Sequence, residues 1–339
     1  MSSTIYDVAE RADVSIASVS LVIRDPETRR VGAQKRKKIL QIAKEIGYTP
    51  SAVAKALSEG STRIVGLVVP MREPIFNNPF IADVLTGIQS SVMEFGYHLM
   101  IYTHKASTGR LTKSELQQSR FVDGVIAVNT RMCSSDDMNA TIGYLQSTNT
   151  RFVMVNGYYG DQQIDYVGVN DEATAKLAVD YLTSKGHTSI ALITGSARSP
   201  ISGHLLSGFR RALRQHKIET SRLRHVHSNY DDAVVLATLK TWMKEKGRPS
   251  AIFCADDHVA TKVYQAARAL QLDIPGDLSV LGAGNSFLAS SQQPRLSTIT
   301  VPAVEIGRQA ARLLIDGFKE HTAPQRIILP SQVSLGESA

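Results

Sequence analysis

The chain has only two cysteines in 339 residues, Cys133 and Cys254, and no C-x-x-C spacing relates them. This excludes a disulfide framework and a cysteine-based zinc site, and a reducing, cytoplasmic setting is expected. No apolar run approaches the ~20 residues that span a bilayer; IVGLVVP, Ile64–Pro70, is strand-sized. The N-terminus, MSSTIYD, meets Asp7 and Glu10 early and has no apolar core, so no signal peptide is read there. Marks of common enzyme folds are missing as well. LGAGNSF, Leu281–Phe287, resembles a dinucleotide loop but has Phe287 where G-x-G-x-x-G needs its third glycine. No G-x-S-x-G elbow occurs. His225 and His227 alternate on one predicted strand, and ADDH, Ala255–His258, reads as a strand-to-helix turn. No enzyme activity, metal or cofactor is expected from these residues.

What is present is a soluble composition, 43% hydrophobic and 20% charged, in a chain longer than one ordinary domain. The formal net charge is +7, and its placement matters more than its size. Seven basic residues and no acid lie between Thr28 and Lys44: Arg29, Arg30, Lys35, Arg36, Lys37, Lys38 and Lys44. Such a run is most often a solvated helix face, and less often a nucleic-acid footprint.

Three short amphipathic segments fill the first 48 residues. The first covers about Thr4–Ala12, with Thr4 as N-cap and Ile5, Val8, Ala9 and Ala12 at helical spacing. The second is SIASVSLVIRD, capped by Ser15. The third covers about Ala33–Ile46, and Gly47 is placed to end it. The short Asp13-Val14 connection makes a helix-turn-helix of the first two. With Val19 central, a helical wheel puts Val22, Ile23, Ser15 and Ile16 on or near the inner side. Ala17, Leu21 and Arg24 then point outward, with Ser20 beside them. A methyl, an isobutyl, a hydroxyl and a guanidinium suit a major groove. The alternative is a three-helix cap in which Ala17 and Leu21 are interface core. The next stretch, TPSAVAKALSEGST, is a short helix candidate that folds only against a partner such as DNA or a second copy.

The order Tyr6-Asp7-Val8-Ala9, Val14-Ser15, Val19-Ser20, Ile46-Gly47-Tyr48-Thr49-Pro50, Ala54 and Leu57 resembles the lactose-repressor/galactose-repressor family of bacterial transcription regulators. The resemblance implies that Ser15, Ile16, Ala17, Ser18, Ser20, Leu21 and Arg24 approach the major groove. It implies that Thr4, Tyr6, Arg30, Arg36 and Tyr48 add DNA contacts. Ser51, Ala54 and Leu57 would lie on a hinge helix that folds on operator binding, with Leu57 wedged into the minor groove. Five positions depart from the family pattern. Leu21 stands where many members have arginine, with Arg24 three positions later. Ile16 and Ala17 replace polar readers, Asp13 replaces Gly or Asn, and Ser51 replaces Asn. These departures predict readout weighted toward thymine methyls and DNA shape.

From Ile64 onward, strand-like and helix-like segments alternate in a βαβ rhythm. Strands are predicted at Ile64–Val69, His98–Tyr102, Gly124–Asn129, Phe152–Asn156, Ile190–Thr194, Arg224–His227, Ala251–Ala255 and Ser279–Leu281. A break near Gln162–Asp165 suggests two Rossmann-like lobes. The expected fold is an all-α helix-turn-helix headpiece followed by an α/β core like that of periplasmic binding proteins. The expected divisions are 1–48 (headpiece), 49–61 (hinge) and 62–339 (effector-binding and dimerisation core). By family analogy the chain crosses between lobes near 162–166, 290–296 and 322–327. The N-lobe would comprise about 62–163 and 294–323, and the C-lobe about 164–293 and 324–339.

Ligands in such sheets sit beyond the carboxyl ends of the strands. By family position the effector candidates are Asn78, Phe80, Asn156, His204, Leu205, Phe253, Asp256, Asp257 and Asn285. An Asn or Asp at a strand end is as often simply a helix cap. Leu205 stands where sugar-responsive members have arginine, and Gly284, after Ala283, where they have aspartate. A plain hexose is therefore disfavoured. The resulting expectation is a repressor that binds a palindromic double-stranded operator as a homodimer, with no membrane partner. Its control would come from a small effector in the interlobe cleft or from a phosphorylated carrier protein. A solute-binding protein of the periplasmic type is the alternative, opposed by the basic headpiece.

Overall fold

The structure is a computed structural model that describes residues 3–49, 56, 60–69, 75–102, 121–157, 160, 163–220, 223–319 and 323–339. Ser51, Ala54 and Leu57 of the expected hinge lie outside these residues. The chain divides into two compact units, Met1–Arg63 and Ile64–Ala339.

Three helices are bounded among the described residues of the first unit. Helix α1 (Ile5–Ala12) starts with a capping box: the Thr4 side chain accepts from the Asp7 amide, and the Asp7 carboxylate accepts from the Thr4 amide at 2.7 Å. It ends at Asp13, whose φ of 54° is left-handed, a conformation Asp tolerates better than most residues. Helix α2 (Ile16–Arg24) is capped by Ser15, which accepts from the Ser18 amide at 3.2 Å. Helix α3 (Ala33–Glu45) follows, and Gly47 closes it at φ 63°. Val8, Val19, Val22 and Ile39 meet fully buried at the centre of the unit. Each contributes about 1.5–3 kcal/mol of transfer free energy.

The second unit contains two six-stranded sheets. The chain runs β1 (Ile64–Val68), α4 (Pro79–Glu94), β2 (His98–Tyr102), β3 (Gly124–Val128), α5 (Ser135–Ser147), β4 (Phe152–Val155) and β5 (Asp165–Val169). It continues through α6 (Asp171–Ser184), β6 (Ile190–Thr194), α7 (Pro200–Gln215), β7 (His225–His227), α8 (Asp232–Trp242), β8 (Ala251–Cys254) and α9 (Asp257–Ala269). Last come β9 (Ser279–Gly284), α10 (Phe287–Ser291), β10 (Ser297–Thr300), α11 (Ala303–Asp316), β11 (Arg326–Leu329) and β12 (Gln332–Ser334). The N-lobe sheet has the order β11-β5-β4-β3-β1-β2, and the C-lobe sheet β12-β10-β9-β8-β6-β7. Among the described residues every pairing is parallel except β10 with β12. Strands β3, β5, β6 and β8 are buried throughout, as sheets covered on both faces require.

The lobe boundaries differ from those expected. Strand β5 pairs with β4, β10 pairs with β9, and β11 pairs with β5. Residues 165–169 and 326–329 thus belong to the N-lobe sheet, and 297–300 to the C-lobe sheet. The crossings follow β5, β10 and β11 rather than preceding them. The break expected near Gln162–Asp165 does not divide the lobes, because Asp165 begins β5 of the N-lobe sheet. Strand β10 is absent from the predicted strands because Ser297 and Thr298 are polar, yet both are fully buried and hydrogen-bonded.

Helices α4 and α11 cross at two glycines. A Cβ on Gly87 would lie 1.9 Å from the Val304 carbonyl oxygen, and one on Gly307 would lie 2.1 Å from that of Val84. No side chain fits where the two backbones touch. Gly87→Ala must push the helices apart and should cost about 1–3 kcal/mol. Denaturant unfolding of the full chain reads this as a lower midpoint; an unchanged midpoint would refute the close crossing.

Candidate functional site

The outer face of α2 differs in part from the wheel. Ala17, Ser20 and Arg24 are exposed as expected. Ile16, assigned to the inner side, is 41% exposed, whereas Leu21 is half-buried against the headpiece core. The core closes on Val19 and Val22, so the first turn of this short helix projects beyond it. The apolar group offered to solvent is therefore the sec-butyl of Ile16. A shallow depression beside it is lined by Tyr6, Glu10, Ser15, Ser18 and Lys35. Tyr6 is 67% exposed. Thr4 is occupied as a cap, and Ser15 and Ser18 share a hydroxyl contact of 3.0 Å. Arg30 is exposed, but Arg36 donates to the Thr28 carbonyl at 2.9 Å and is half-buried. Tyr48 packs against the core.

The second site is the cleft between the two sheets' carboxyl ends, inside the second unit. Five of the nine expected effector residues line it: Asn78, Phe80, Asn156, Asp256 and Asp257. The other four do not. Leu205 and Phe253 are fully buried in the C-lobe core, where Phe253 stacks on Phe209 at 6.5 Å. His204 lies on α7 facing Glu172 at 3.8 Å, and Asn285 is exposed at φ 58° beside the cleft. Sequence reasoning missed Asp83, Thr130, Arg131, Tyr230, His258 and Ser286. Thr130-Arg131 follow β3 as Asn156 follows β4, so the strand-end rule applied to every strand could have found them.

Three of the five are held by caps and internal bonds. Asn78 caps α4 by accepting from the Phe80 amide at 3.1 Å. Asp256 caps α9, accepting from the Val259 amide at 2.8 Å and from the Tyr230 hydroxyl. Burial and the Asp256 charge hold the Tyr230 hydroxyl well above the usual phenol range. Asp257 accepts from the Ser286 amide (2.7 Å), the Ser286 hydroxyl (2.9 Å) and the Thr298 hydroxyl (2.6 Å). Burial raises its carboxyl, and the three donors oppose that shift. The geometry also explains Gly284: its φ is 134°, and a Cβ there would sit 3.1 Å from the Asp257 carboxylate. An aspartate in that place meets both backbone strain and like charge.

The lobes also touch directly. Ser196 donates to the Arg131 carbonyl at 3.3 Å, and Ser135 to that of Arg198 at 3.3 Å. The cleft retains about 50 Å³ of free space, room for about one to three waters.

His225 and His227 lie on β7 away from this cleft, both against the Thr194 hydroxyl at 3.1 and 2.7 Å. Burial first, then the neighbouring His227 and Arg210, lowers His225 to about 4. The native state therefore holds His225 neutral where the unfolded chain, near 6.5, binds a proton. Stability contributed by His225 is present above pH 6.5 and drains away as pH falls toward 4. Unfolding midpoints at pH 7 and pH 5 should differ less in His225→Gln than in the wild type; equal differences would refute the assignment.

Comparison with known proteins agrees with both units. The profile described as bacterial regulatory proteins, lacI family, matches residues 4–51, and a periplasmic binding protein-like domain matches 179–339. The ribose operon repressor of Haemophilus influenzae is 30% identical, over 96% of this chain and 95% of that one. The transcriptional repressor PurR of Vibrio cholerae is also 30% identical, over 96% and 94%. Among solved structures, the complex of the regulator CelR with cellobiose superposes with a TM-score of 0.72 at 25% identity, covering 99% of this chain and 100% of that one. The operator-bound lac repressor dimer superposes at 0.80 with 21% identity, over 100% and 99%, a likeness of fold.

Proposed function

Because the chain belongs to the LacI family of bacterial regulatory proteins, a family of DNA-binding transcriptional repressors under ligand control, we propose that two copies bind a two-fold operator through the exposed first turn of α2. The supporting observation is the exposed face of Ile16, Ala17, Ser20 and Arg24 on a helix-turn-helix, with exposed Lys35, Lys37 and Lys38 on α3. Methyl-bearing side chains fit thymine methyls, and the lysines fit phosphate. Leu21 supports the helix from within rather than reading bases. Thr4, Tyr6, Ser15, Ser18, Arg30 and Tyr48 serve as backbone contacts or supports, and Arg36 holds the Thr28 loop.

Residues 1–48, 49–61 and 62–339 act as headpiece, hinge and core, with Ser51, Ala54 and Leu57 on the hinge and Leu57 as a minor-groove wedge. An effector in the cleft among Asn78, Phe80 and Asn156 biases the angle between the lobes, and operator affinity responds. Two sites and two global states make this allostery. The work is done in the cytoplasm, on DNA, without catalysis. No helix among the described residues is long and apolar enough to cross a membrane.

The test is retention of full-length protein on a random duplex pool, followed by sequencing. A two-fold site with T or A under the first turn of α2 is expected, and Ile16→Gln should lose that preference. Enrichment without symmetry would refute the dimeric reading. Binding should weaken steeply with salt, through counterion release; a flat response would remove the lysines from the interface. Leu57→Ala should lower operator affinity more than fold stability, as a gel-shift titration and an unfolding curve together would show.

A further inference from the structure

The cleft is lined by three aspartates and one arginine, and their bonding is unequal. Asp256 and Asp257 are consumed by five donors from α9, Ser286, Thr298 and Tyr230. Both also stand at the N-terminus of α9, where the helix dipole offsets negative charge. Asp83, on α4, is pushed toward its neutral form by burial. Arg131 is less fully provided for. It is 8% exposed, and its Nε has no hydrogen-bond partner. The carboxylate of Asp171, at the start of α6 on the opposite lobe, stays 4.0 Å from its Nη2. No other arginine or lysine lines the cleft among the described residues. A second polar atom is left over nearby: Asn156 is 3% exposed, and its Oδ1 has no donor.

A buried guanidinium whose Nε has no acceptor and whose one ion pair is long is costly, and what completes it is an anionic oxygen pair in a plane matching its fork. A buried amide oxygen without a donor lacks a hydroxyl or N–H. We propose that the effector is a hydroxylated carboxylic acid of the sugar-acid class, its carboxylate taken by Arg131 and a hydroxyl by Asn156 Oδ1. This rests on the reading of the cleft as the effector site. It also accounts for Leu205 and Gly284: the charged pair expected at those positions is gone, and the cationic duty passes to a residue on the opposite lobe. Asp171 is then the internal competitor for Arg131, holding it loosely until a carboxylate arrives with better geometry. Arg131 binds through the N-lobe and its carbonyl accepts from Ser196 of the C-lobe. A ligand drawn to it therefore acts where the lobes meet.

The experiment is calorimetric titration of the full-length wild type with sodium gluconate and sodium galacturonate. Glucose and galactose are the neutral counterparts, and glucose 6-phosphate carries an anion of different shape. Saturable binding of at least one carboxylate, with neutral counterparts weaker by about thirtyfold or more, is expected. Arg131→Gln should abolish that difference, and Arg131→Lys, which keeps the charge but loses the fork, should retain part of it. Asp171→Asn should tighten carboxylate binding, an effect that a purely structural ion pair would not produce. Equal binding of acid and neutral sugar, or carboxylate binding that survives Arg131→Gln, overturns the ligand class and leaves the cleft reading in place. Preference for the phosphate overturns the carboxylate. Absence of binding by every probe overturns the proposal, and operator titration of the same samples then shows whether the regulator itself is intact.

Discussion

The Asp257 carboxylate is the constraint on which the C-lobe side of the cleft depends. It collects donors from the loop after β9 and from β10, so three consecutive pieces of the lobe converge on one buried group. Its demand for room explains two glycines. A Cβ at Gly282 would lie 2.5 Å from Oδ1, and one at Gly284 would lie 3.1 Å from Oδ2. A buried carboxylate is tolerable only while its acceptor capacity is filled, so the network is kept whole, and a side chain at position 284 is what it excludes. The composition of the ligand site follows from a structural bond behind it.

The N-lobe is built on a different constraint, the contact of two backbones at Gly87 and Gly307. It draws α4 against α11, and α4 carries Asn78, Phe80 and Asp83 to the cleft. Each lobe thus positions its share of the cleft by a close approach that only glycine permits. The groups so positioned divide into those satisfied by the fold and those not. The satisfied ones are the carboxylates at the α9 N-terminus. Arg131 Nε and Asn156 Oδ1 remain, one donor and one acceptor, and they give the cleft its chemical direction.

The headpiece was largely legible from its residues. Thr4, Ser15 and Gly47 announced the helix ends, because caps are local bonds between near neighbours. The wheel failed at Ile16 and Leu21 because it assumes a core along the whole helix, while burial is complete only at Val19 and Val22, with Leu21 packed at their side and Ile16 left in solvent. Strands β3, β6 and β8 were equally legible, being short apolar runs buried on both faces. Strands β5, β10, β11 and β12 were not. Asp165, Ser297 and Thr298 lend them a polar look, and only partners distant in the chain neutralise it: Gln325 for Asp165, Ser338 for Ser297 and Asp257 for Thr298.

The cleft divides in the same way. Asn78, Asn156, Asp256 and Asp257 could be named from the sequence because each follows a strand-like or turn signal within a few residues. Whether they remain available to a ligand could not, since the bonds that consume Asp256 and Asp257 come from Tyr230, Ser286 and Thr298, 26 to 41 residues away. Arg131 was overlooked because an arginine after a strand ordinarily points to water. Its burial between two lobes exists only once β3 and α6 are brought together. Composition, periodicity and caps determined the headpiece and the alternating α/β core, since these depend on neighbours in the chain, and the motif resemblance pointed to the regulator class. The tertiary structure alone decided which polar atoms are left unsatisfied, because hydrogen bonds between distant segments are written in no local pattern.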